Sequence, residues 1–324
     1  MEVFPAAPAA GWQDTKATLH RFAQVVGKIR LASGVRRNHW WHVPFHLTGR
    51  GLTTRPMGLI DGNPIFTIDF DFAAHRLVVA ALDGRTVSFP LQGRSVASFY
   101  HEVLRALAAL DVRVEMDAPH PFDLPDADRP FAQDTEHAAY DPAAATWYWR
   151  VLSQVNLVLE EYAAGFSGKT SPVHHFWHTF DIACSRFGDR VIGQPPDADP
   201  VTREAYSREV ISSGFWFGDE SPAVSASVPP SASPSGPAFY SYTAPEPEGL
   251  TGEPLLPAEA RWTERGGGHL AVLPYDDARA ADDPRCAVLE FYESAYRAGA
   301  RCAKWDIARL ACPGGITDPW LRTP

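Results

Sequence analysis

The chain has no long apolar run, almost no lysine and few cysteines, and each shortage removes a class of function. No uninterrupted apolar stretch approaches the roughly 20 residues that a membrane-spanning helix requires, so no membrane role is expected. The 29 basic residues form no run and are outnumbered by 39 acidic ones, for a net charge of −10. A nucleic-acid partner is not expected either, because phosphate backbones are held by clustered cations. Cys184, Cys286, Cys302 and Cys312 are the four thiols of a 324-residue chain and show no C-x-x-C spacing. That disfavours a disulfide framework and a zinc ribbon. Residues 1–10 carry one acid and no base, unlike the positively charged start of a secretory signal, and a cytoplasmic location is the expectation.

Common catalytic signatures are missing too. There is no G-x-S-x-G, no G-x-G-x-x-G after a strand, no Walker A and no H-E-x-x-H, which sets aside serine-hydrolase, dinucleotide, nucleoside-triphosphate and metalloprotease readings. Gly266-Gly267-Gly268 reads as a loop. Few lysines, three methionines and abundant Ala, Arg and Pro point to a GC-rich bacterial source.

Apolar residues make up 45% of the chain and charged ones 21%, enough to bury one large core or two modest ones. Two stretches stand out. The first is Asn38-His39-Trp40-Trp41-His42-Val43-Pro44-Phe45-His46-Leu47-Thr48-Gly49-Arg50. The second runs from Ser171 through His174-His175-Phe176-Trp177-His178 to Asp181 and Arg186. Trp177 lies 136 residues after Trp41, and the same offset sets His39 on His175, His42 on His178 and Arg50 on Arg186. Read as a strand, the first stretch puts Trp41, Val43, Phe45 and Leu47 on one face and Trp40, His42, His46, Thr48 and Arg50 on the other. The polar face is either ordinary sheet surface or a pocket lining. Large aromatics beside histidines favour the pocket.

Around these stretches the pattern alternates between helices and half-buried strands. A helix capped by Asp14 or Thr15 carries Leu19, Phe22, Val26 and Ile29. Phe66, Ile68, Phe70 and Phe72 alternate with Asp69 and Asp71 as a strand. Asp83-Gly84 signals a hairpin. Ser95 caps a helix, and 112–116 reads as a short strand. Residues 118–138, rich in proline and acids, read as a linker. Asp141-Pro142 opens a second long helix, whose Gln154 stands 130 residues after Gln24. Strands are expected at 206–217 and 239–243, and a last helix after Asp283-Pro284. The Ser/Pro-rich stretch 221–237 is expected to be disordered. The predicted fold is α+β, a largely antiparallel sheet with flanking helices. It would be built from two diverged α-β-β-β-α halves, 1–117 and 139–324, about a pseudo-twofold axis.

At these residues the chain resembles a bacterial family known as domain of unknown function 5996. The likeness is carried by Asn38-His39-Trp40-Trp41-His42-Val43-Pro44, Arg50-Gly51-Leu52-Thr53-Thr54, and Ile68-Asp69-Phe70-Asp71-Phe72 with His75. It continues in Ser171-Pro172-Val173-His174, Phe176-Trp177, Phe180-Asp181, Glu204-Ala205-Tyr206-Ser207, Glu209-Val210 and Gly214-Phe215-Trp216. It spans nearly the whole chain. Arg208 stands where the family pattern carries a histidine, His178 has no counterpart in it, and the 221–237 stretch is peculiar to this chain. The resemblance implies no activity.

Three functions fit the residues. In an enzyme acting on a small, carboxylated metabolite, His42 and His174 would carry protons, with Asp181 and Glu209 as orienting carboxylates. His39, Trp40, Arg50, Asp69, Asp71, Trp177 and Arg186 would hold the substrate, since histidine titrates near neutrality and arginine grips carboxylates with a rigid fork. In a metalloenzyme, a divalent ion would take ligands from His39, His42, His174, His178, Glu204 and Glu209. His42 and His46, four apart in a strand, would lie about 13 Å from each other and could not share one ion. If 173–186 were helical instead, His174, His178 and Asp181 would share a face. The third reading is a non-catalytic small-molecule-binding protein lined by aromatics. The oligomeric state is not legible.

Overall fold

Leu19, Phe22, Val26 and Ile29 recur every three to four residues and are all buried, as the inward stripe of a helix must be. They lie on α1 (Trp12–Ser33), which starts earlier than predicted because Gly11, at φ 77°, turns the chain into it. The computed structural model describes residues 2–8, 11–59, 62–218 and 236–321. The 221–237 stretch falls outside them except for its last two residues.

After α1 come β1 (His46–Thr48), β2 (Gly51–Thr53), β3 (Phe66–Asp71), β4 (Arg76–Ala81) and β5 (Thr86–Pro90), an antiparallel meander in that order. The Asp83-Gly84 turn sits where expected, with Gly84 at φ 90°. Then α2 (Val96–Ala109) is capped by Ser95, whose Oγ accepts from Ser98 N–H. Residues 112–116 form no strand. Residues 118–138 run across α1, burying Phe131 and tying Asp126 to Arg21.

Asp141 caps α3 (Pro142–Ala164), as its sequence indicates. Then follow β6 (His174–Phe176), β7 (Asp181–Val191), α4 (Pro200–Ala205), β8 (Arg208–Trp216), β9 (Ala238–Ala244), β10 (Arg261–Arg265), β11 (Gly268–Pro274), α5 (Tyr275–Ala280), α6 (Pro284–Cys302) and α7 (Ile307–Leu310). The six strands form a second antiparallel sheet in the order β10-β11-β9-β8-β7-β6. The triple glycine makes the β10–β11 turn, a hairpin the sequence pattern did not reveal. No helix among the described residues is long and apolar enough to cross a membrane.

The architecture is α+β with antiparallel sheets, as predicted, but both His-Trp stretches fold differently. Residues 38–50 do not form one strand. His39 and Trp40 take φ of 53° and 59°, a left-handed excursion that breaks extension, and only 46–48 is strand. Residues 171–186 are neither one strand nor a helix but a β6–β7 hairpin, reversed at Phe180 with φ 60°. Trp41 therefore precedes its hairpin while Trp177 sits inside its own. Arg50 lies in a turn and Arg186 in mid-strand, so the 136-residue offset does not pair equivalent positions.

Among the described residues the two sheets are joined by backbone hydrogen bonds at one place. Phe45 and His175 exchange both backbone hydrogen bonds, at 2.9 and 3.0 Å, an isolated antiparallel bridge between β1's flank and β6. Across this seam the strands read as one sheet. Its inner face carries Phe45, Ile68 and Phe70 on one side and His175, Ile182, Cys184 and Arg186 on the other. There Phe99 of α2 stacks on Phe70, Tyr148 of α3 meets His175, and the Tyr292 hydroxyl of α6 donates to Gly214 O. Alternation then sends His46, Thr53 and Asp69, and His174, Ala183, Ser185 and Phe187, to the opposite, outer face.

Candidate functional site

The outer face at the seam is where chemistry-bearing side chains converge. His46 from β1 and His174 from β6 lie across the seam with ring centroids 5.1 Å apart. His174 is 1% exposed. Neither of its ring nitrogens has a hydrogen-bond partner. An imidazole in that state costs roughly 1–3 kcal/mol per orphaned polar group, so the position is expensive to maintain for packing alone.

Three arginines act electrostatically on this pair. Arg30 ends α1, Arg37 follows it and Arg55 lies just past β2. Burial and then Arg55, Arg30 and Arg37 push His46 down to about 3. Burial first, then His46 and the same arginines, hold His174 far below the ordinary imidazole range. Arg30 itself falls to about 10, through burial and repulsion by Arg55 and Arg37. Its one hydrogen bond goes to Pro56 O at 3.3 Å, and its Nε has no partner. Among the described residues no carboxylate reaches ion-pair distance of Arg30, Arg37 or Arg55. In a chain of net charge −10, an unneutralised cationic cluster around two neutral imidazoles is a local inversion.

Sequence reasoning missed these arginines, although a signal existed. Residues 15–60 contain Lys16, Arg21, Lys28, Arg30, Arg36, Arg37, Arg50 and Arg55 and no Asp or Glu. The bases are spaced so widely that no run forms. Three of them, Arg30 near the end of α1, Arg37 in the segment after it and Arg55 past β2, bear on the same two imidazoles.

The 34–42 segment forms the rim. Arg37 N–H donates to His42 Nδ1 at 3.2 Å, Trp40 stacks on His42, and the Arg36 guanidinium lies 4.4 Å from the Trp40 ring centre. His42 is buried, and burial with Arg36 and Arg30 lowers its pKa. The left-handed turn aims His39 toward β7 and α4. Its backbone N–H donates to Glu204 Oε1 at 2.8 Å, its Nδ1 contacts Ala205 O at 3.3 Å, and its Nε2 lies 2.6 Å from Lys169 Nζ. Trp41 links the two groups, edge-on to His174 at 6.3 Å and with Lys169 Nζ 5.2 Å from its ring centre.

Of the predicted residues, His39, Trp40, His42, His174 and Glu204 are thus brought together. Asp69 shares the outer face two strands from His46, and burial raises its pKa against hydrogen bonds from Thr53 and Thr67. Asp181 is on the outer face at the far end of β7. There Tyr240 and Thr179 donate to it, and burial raises its pKa.

The others are placed elsewhere. Arg50 makes an exposed 2.7 Å pair with Asp71 at the β1–β2 turn. Arg186 and Glu209 face inward, because β7 and β8 alternate. Arg186 lies 3.6 Å from the Tyr162 ring centre, beside Tyr296, and bonds Glu293 at 2.8 Å. Glu209 holds Arg190 and the Trp305 indole. Trp177 is buried against α1 and donates to Val43 O at 3.0 Å. His178 is packed by Phe122, Phe176 and Trp177 in the β6–β7 turn. These six hold the fold, and their rarity reflects the size and polarity of the gaps they fill.

A shared ion does not fit the proposed ligands, since Glu209 and His178 lie away from His174. Among the described residues, the group whose donor atoms all approach within 4.8 Å is Asp126, Asp134 and His137. Arg21 already occupies it, bonding Asp126 at 2.5 Å. All four cysteines are free.

Comparison with known proteins gives one match. The model of the Family of unknown function (DUF5996) covers residues 4–312. No curated protein and no solved structure matches the chain.

Proposed function

This chain belongs to the DUF5996 family, whose function is not assigned, and from that premise we propose that the seam binds a small anionic metabolite, a carboxylate, with His174 as the proton carrier. One observation carries the reading: a buried imidazole whose two nitrogens are unbonded feels the charges of Arg30, Arg37 and Arg55, and among the described residues no carboxylate pairs with those arginines. A bound carboxylate supplies what is missing, since arginine binds it with paired charge-assisted hydrogen bonds.

The same anion would alter the histidine. Burial, His46 and the three cations disfavour imidazolium at His174. A carboxylate among the arginines offsets their repulsion and raises the pKa of His174 toward the working range of a general acid or base. The substrate would then activate its own catalyst. This goes further than simple binding, for which two buried histidines would be unnecessary.

Calorimetric titration with pyruvate, against chloride at matched ionic strength, tests the reading. The wild-type chain should bind pyruvate and take up protons on doing so. Arg37→Ala and Arg55→Ala should each weaken binding roughly 10- to 100-fold, the loss of one charge-assisted interaction. Binding equal to that of chloride, or unchanged in both variants, would refute it.

We also infer that the two halves are diverged copies. The register that supports this is 130 residues, not 136. α1 and α3 begin 130 apart, at Trp12 and Pro142, and Phe45 and His175 at the seam are also 130 apart. Gln24 and Gln154, again 130 apart, make matching bonds. Gln24 accepts from Phe122 N–H at 2.6 Å and donates to Phe122 O, while Gln154 accepts from Phe4 N–H at 2.7 Å and donates to Glu2 O. In an experimental structure, superposing 12–48 on 142–178 should bring the two glutamines together. Finding them on different helical faces would sink the inference.

A further inference from the structure

Asp181 is a buried acid that the seam reading leaves unused. It is 9% exposed and lies on the outer face of the second sheet, opposite to α3 and α6. Register sets Phe176 of β6 on one side of it and Trp216 of β8 on the other, and residues directly opposite in neighbouring strands share a face. Each carboxylate oxygen accepts one hydrogen bond, Oδ1 from the Thr179 hydroxyl and Oδ2 from the Tyr240 hydroxyl. An ionised carboxylate offers about four acceptor positions, so about two stay open. Tyr240 reaches the acid from β9, across β8, over a missing side chain. Gly214 is its partner in register, and a β-carbon there would stand 2.6 Å from the Tyr240 hydroxyl oxygen. The phenol thus lies over the glycine and fixes the direction in which the carboxylate points.

A complementary charge comes from the edge of the same sheet. Arg265 ends β10, beside the triple-glycine turn, and its guanidinium carbon is 4.6 Å from the Trp216 ring centre. Two strands, β11 and β9, separate β10 from β8, so the contact requires the twisted edge to curl over the outer face. The charge of Arg265 is felt at Asp181, where it opposes the rise in pKa that burial causes. The two do not reach ion-pair distance, and among the described residues no carboxylate or carbonyl takes the half-buried guanidinium. An acid and a base therefore meet the same indole without meeting each other. Keeping a buried carboxylate apart from a cation that would neutralise it costs stability.

We propose that this corner is a second binding site, for an amino acid in its zwitterionic form, with the ammonium on Asp181 between Phe176 and Trp216 and the carboxylate on Arg265. The ammonium fills the open acceptor positions of Asp181 and is attracted to the aromatic rings on either side. The carboxylate takes the Arg265 fork through paired N–H donors. With a hydrogen bond of about 3 Å at each end, the two charged groups of an amino acid bridge roughly 8–9 Å. A simple amine would leave Arg265 unmatched, and a simple acid would leave Asp181 so. None of the seam arginines takes part, so the site is independent of the anion reading above.

The test is calorimetric titration of the full chain with L-alanine at neutral pH, beside ethylamine, which lacks the carboxylate. Alanine should bind about tenfold or more tightly than ethylamine, the gain from one charge-assisted pair. Arg265→Gln and Asp181→Asn should each weaken alanine binding by a similar factor, whereas Arg55→Ala, at the seam, should not. Asp181 is buried and its substitution risks unfolding, so Arg265→Gln, on an edge hairpin, decides the matter. Ethylamine binding as tightly as alanine, or alanine binding unchanged in Arg265→Gln, overturns the proposal. Alanine binding lost in Arg55→Ala but kept in Arg265→Gln places alanine at the seam, which refutes this site and leaves the anion reading standing. If none of the standard amino acids raises the melting temperature of the wild-type chain at about 10 mM, where even a millimolar site is mostly filled, the corner binds no amino acid.

Discussion

Gly27→Ala is expected to lower the melting temperature by about 5–10 °C, although alanine is the better helix former. Gly27 is in the middle of α1, where helix propensity alone favours alanine by about 1 kcal/mol. The Trp177 indole lies directly on it. A β-carbon there would stand 2.1 Å from Cδ2 and 2.3 Å from Cγ of that ring, far inside the ordinary carbon–carbon contact of about 3.5–4.0 Å. The ring cannot withdraw cheaply, because it is 5% exposed and its N–H holds Val43 O at 3.0 Å. Overpacking of this kind costs about 1–3 kcal/mol or more, and a lost buried hydrogen bond adds to it. Gly49→Ala, with open space around the site, is the control and should change little. A Gly27→Ala chain that melts higher than wild type would show that Trp177 does not pack on α1.

The second large effect is acid destabilisation beginning well above carboxylate pKa values. His175 is fully buried, with Tyr148 from α3 at 2.6 Å, and burial, then the charges of His20 and His178, lower its pKa from 6.5 to about 3. His46, facing Arg30, Arg37, Arg55 and His174, also lies at about 3. Both folded values are below the unfolded one, so the unfolded chain takes up protons first. Their contribution is complete above pH 6.5 and is lost as pH falls toward 3. At pH 4 the loss is about 3 kcal/mol for His175 and somewhat less for His46, whose edge reaches solvent. Against a typical total of about 5–15 kcal/mol this is a large share. Asp69 and Asp181, whose pKa values burial raises, act in the opposite sense as they gain protons. Urea midpoints measured from pH 7 to 4 should fall steeply. His175→Gln, which keeps a partner for Tyr148 but does not titrate, should flatten the slope. An unchanged slope in that variant would exclude His175 as its source.

Much of the architecture was readable because it is local. Asp141-Pro142 and Asp283-Pro284 set helix starts by capping chemistry, Asp83-Gly84 set a turn by its backbone preference, and Phe66 to Phe72 declared a half-buried strand by alternation. His39, His42 and His174 were found because unusual residues gathered in two short stretches. What could not be read was non-local or against type. His39 and Trp40 hold left-handed conformations that no residue pattern announces. Arg186 and Trp177 looked like site residues because both are large and polar-tipped, yet the same properties fill a gap among Tyr162, Tyr296 and Glu293, or cover a helix glycine. Arg30, Arg37, Arg55 and Lys169 went unnoticed because an ion cluster assembled from a helix end, two loops and a strand approach has no spacing of its own.

The bridge between Phe45 and His175 also bears on how the molecule deforms. Each sheet is a ladder many bonds wide, but between them a single rung carries the backbone connection, and it lies beneath the paired imidazoles of His46 and His174. The two ladders thus share their backbone hydrogen bonding at this one rung among the described residues, and the Trp177 indole N–H on Val43 O adds a side-chain tie beside it. A ligand bonded to both imidazoles would add a second fastening across the same line, so its binding should slow amide exchange at Phe45 and His175.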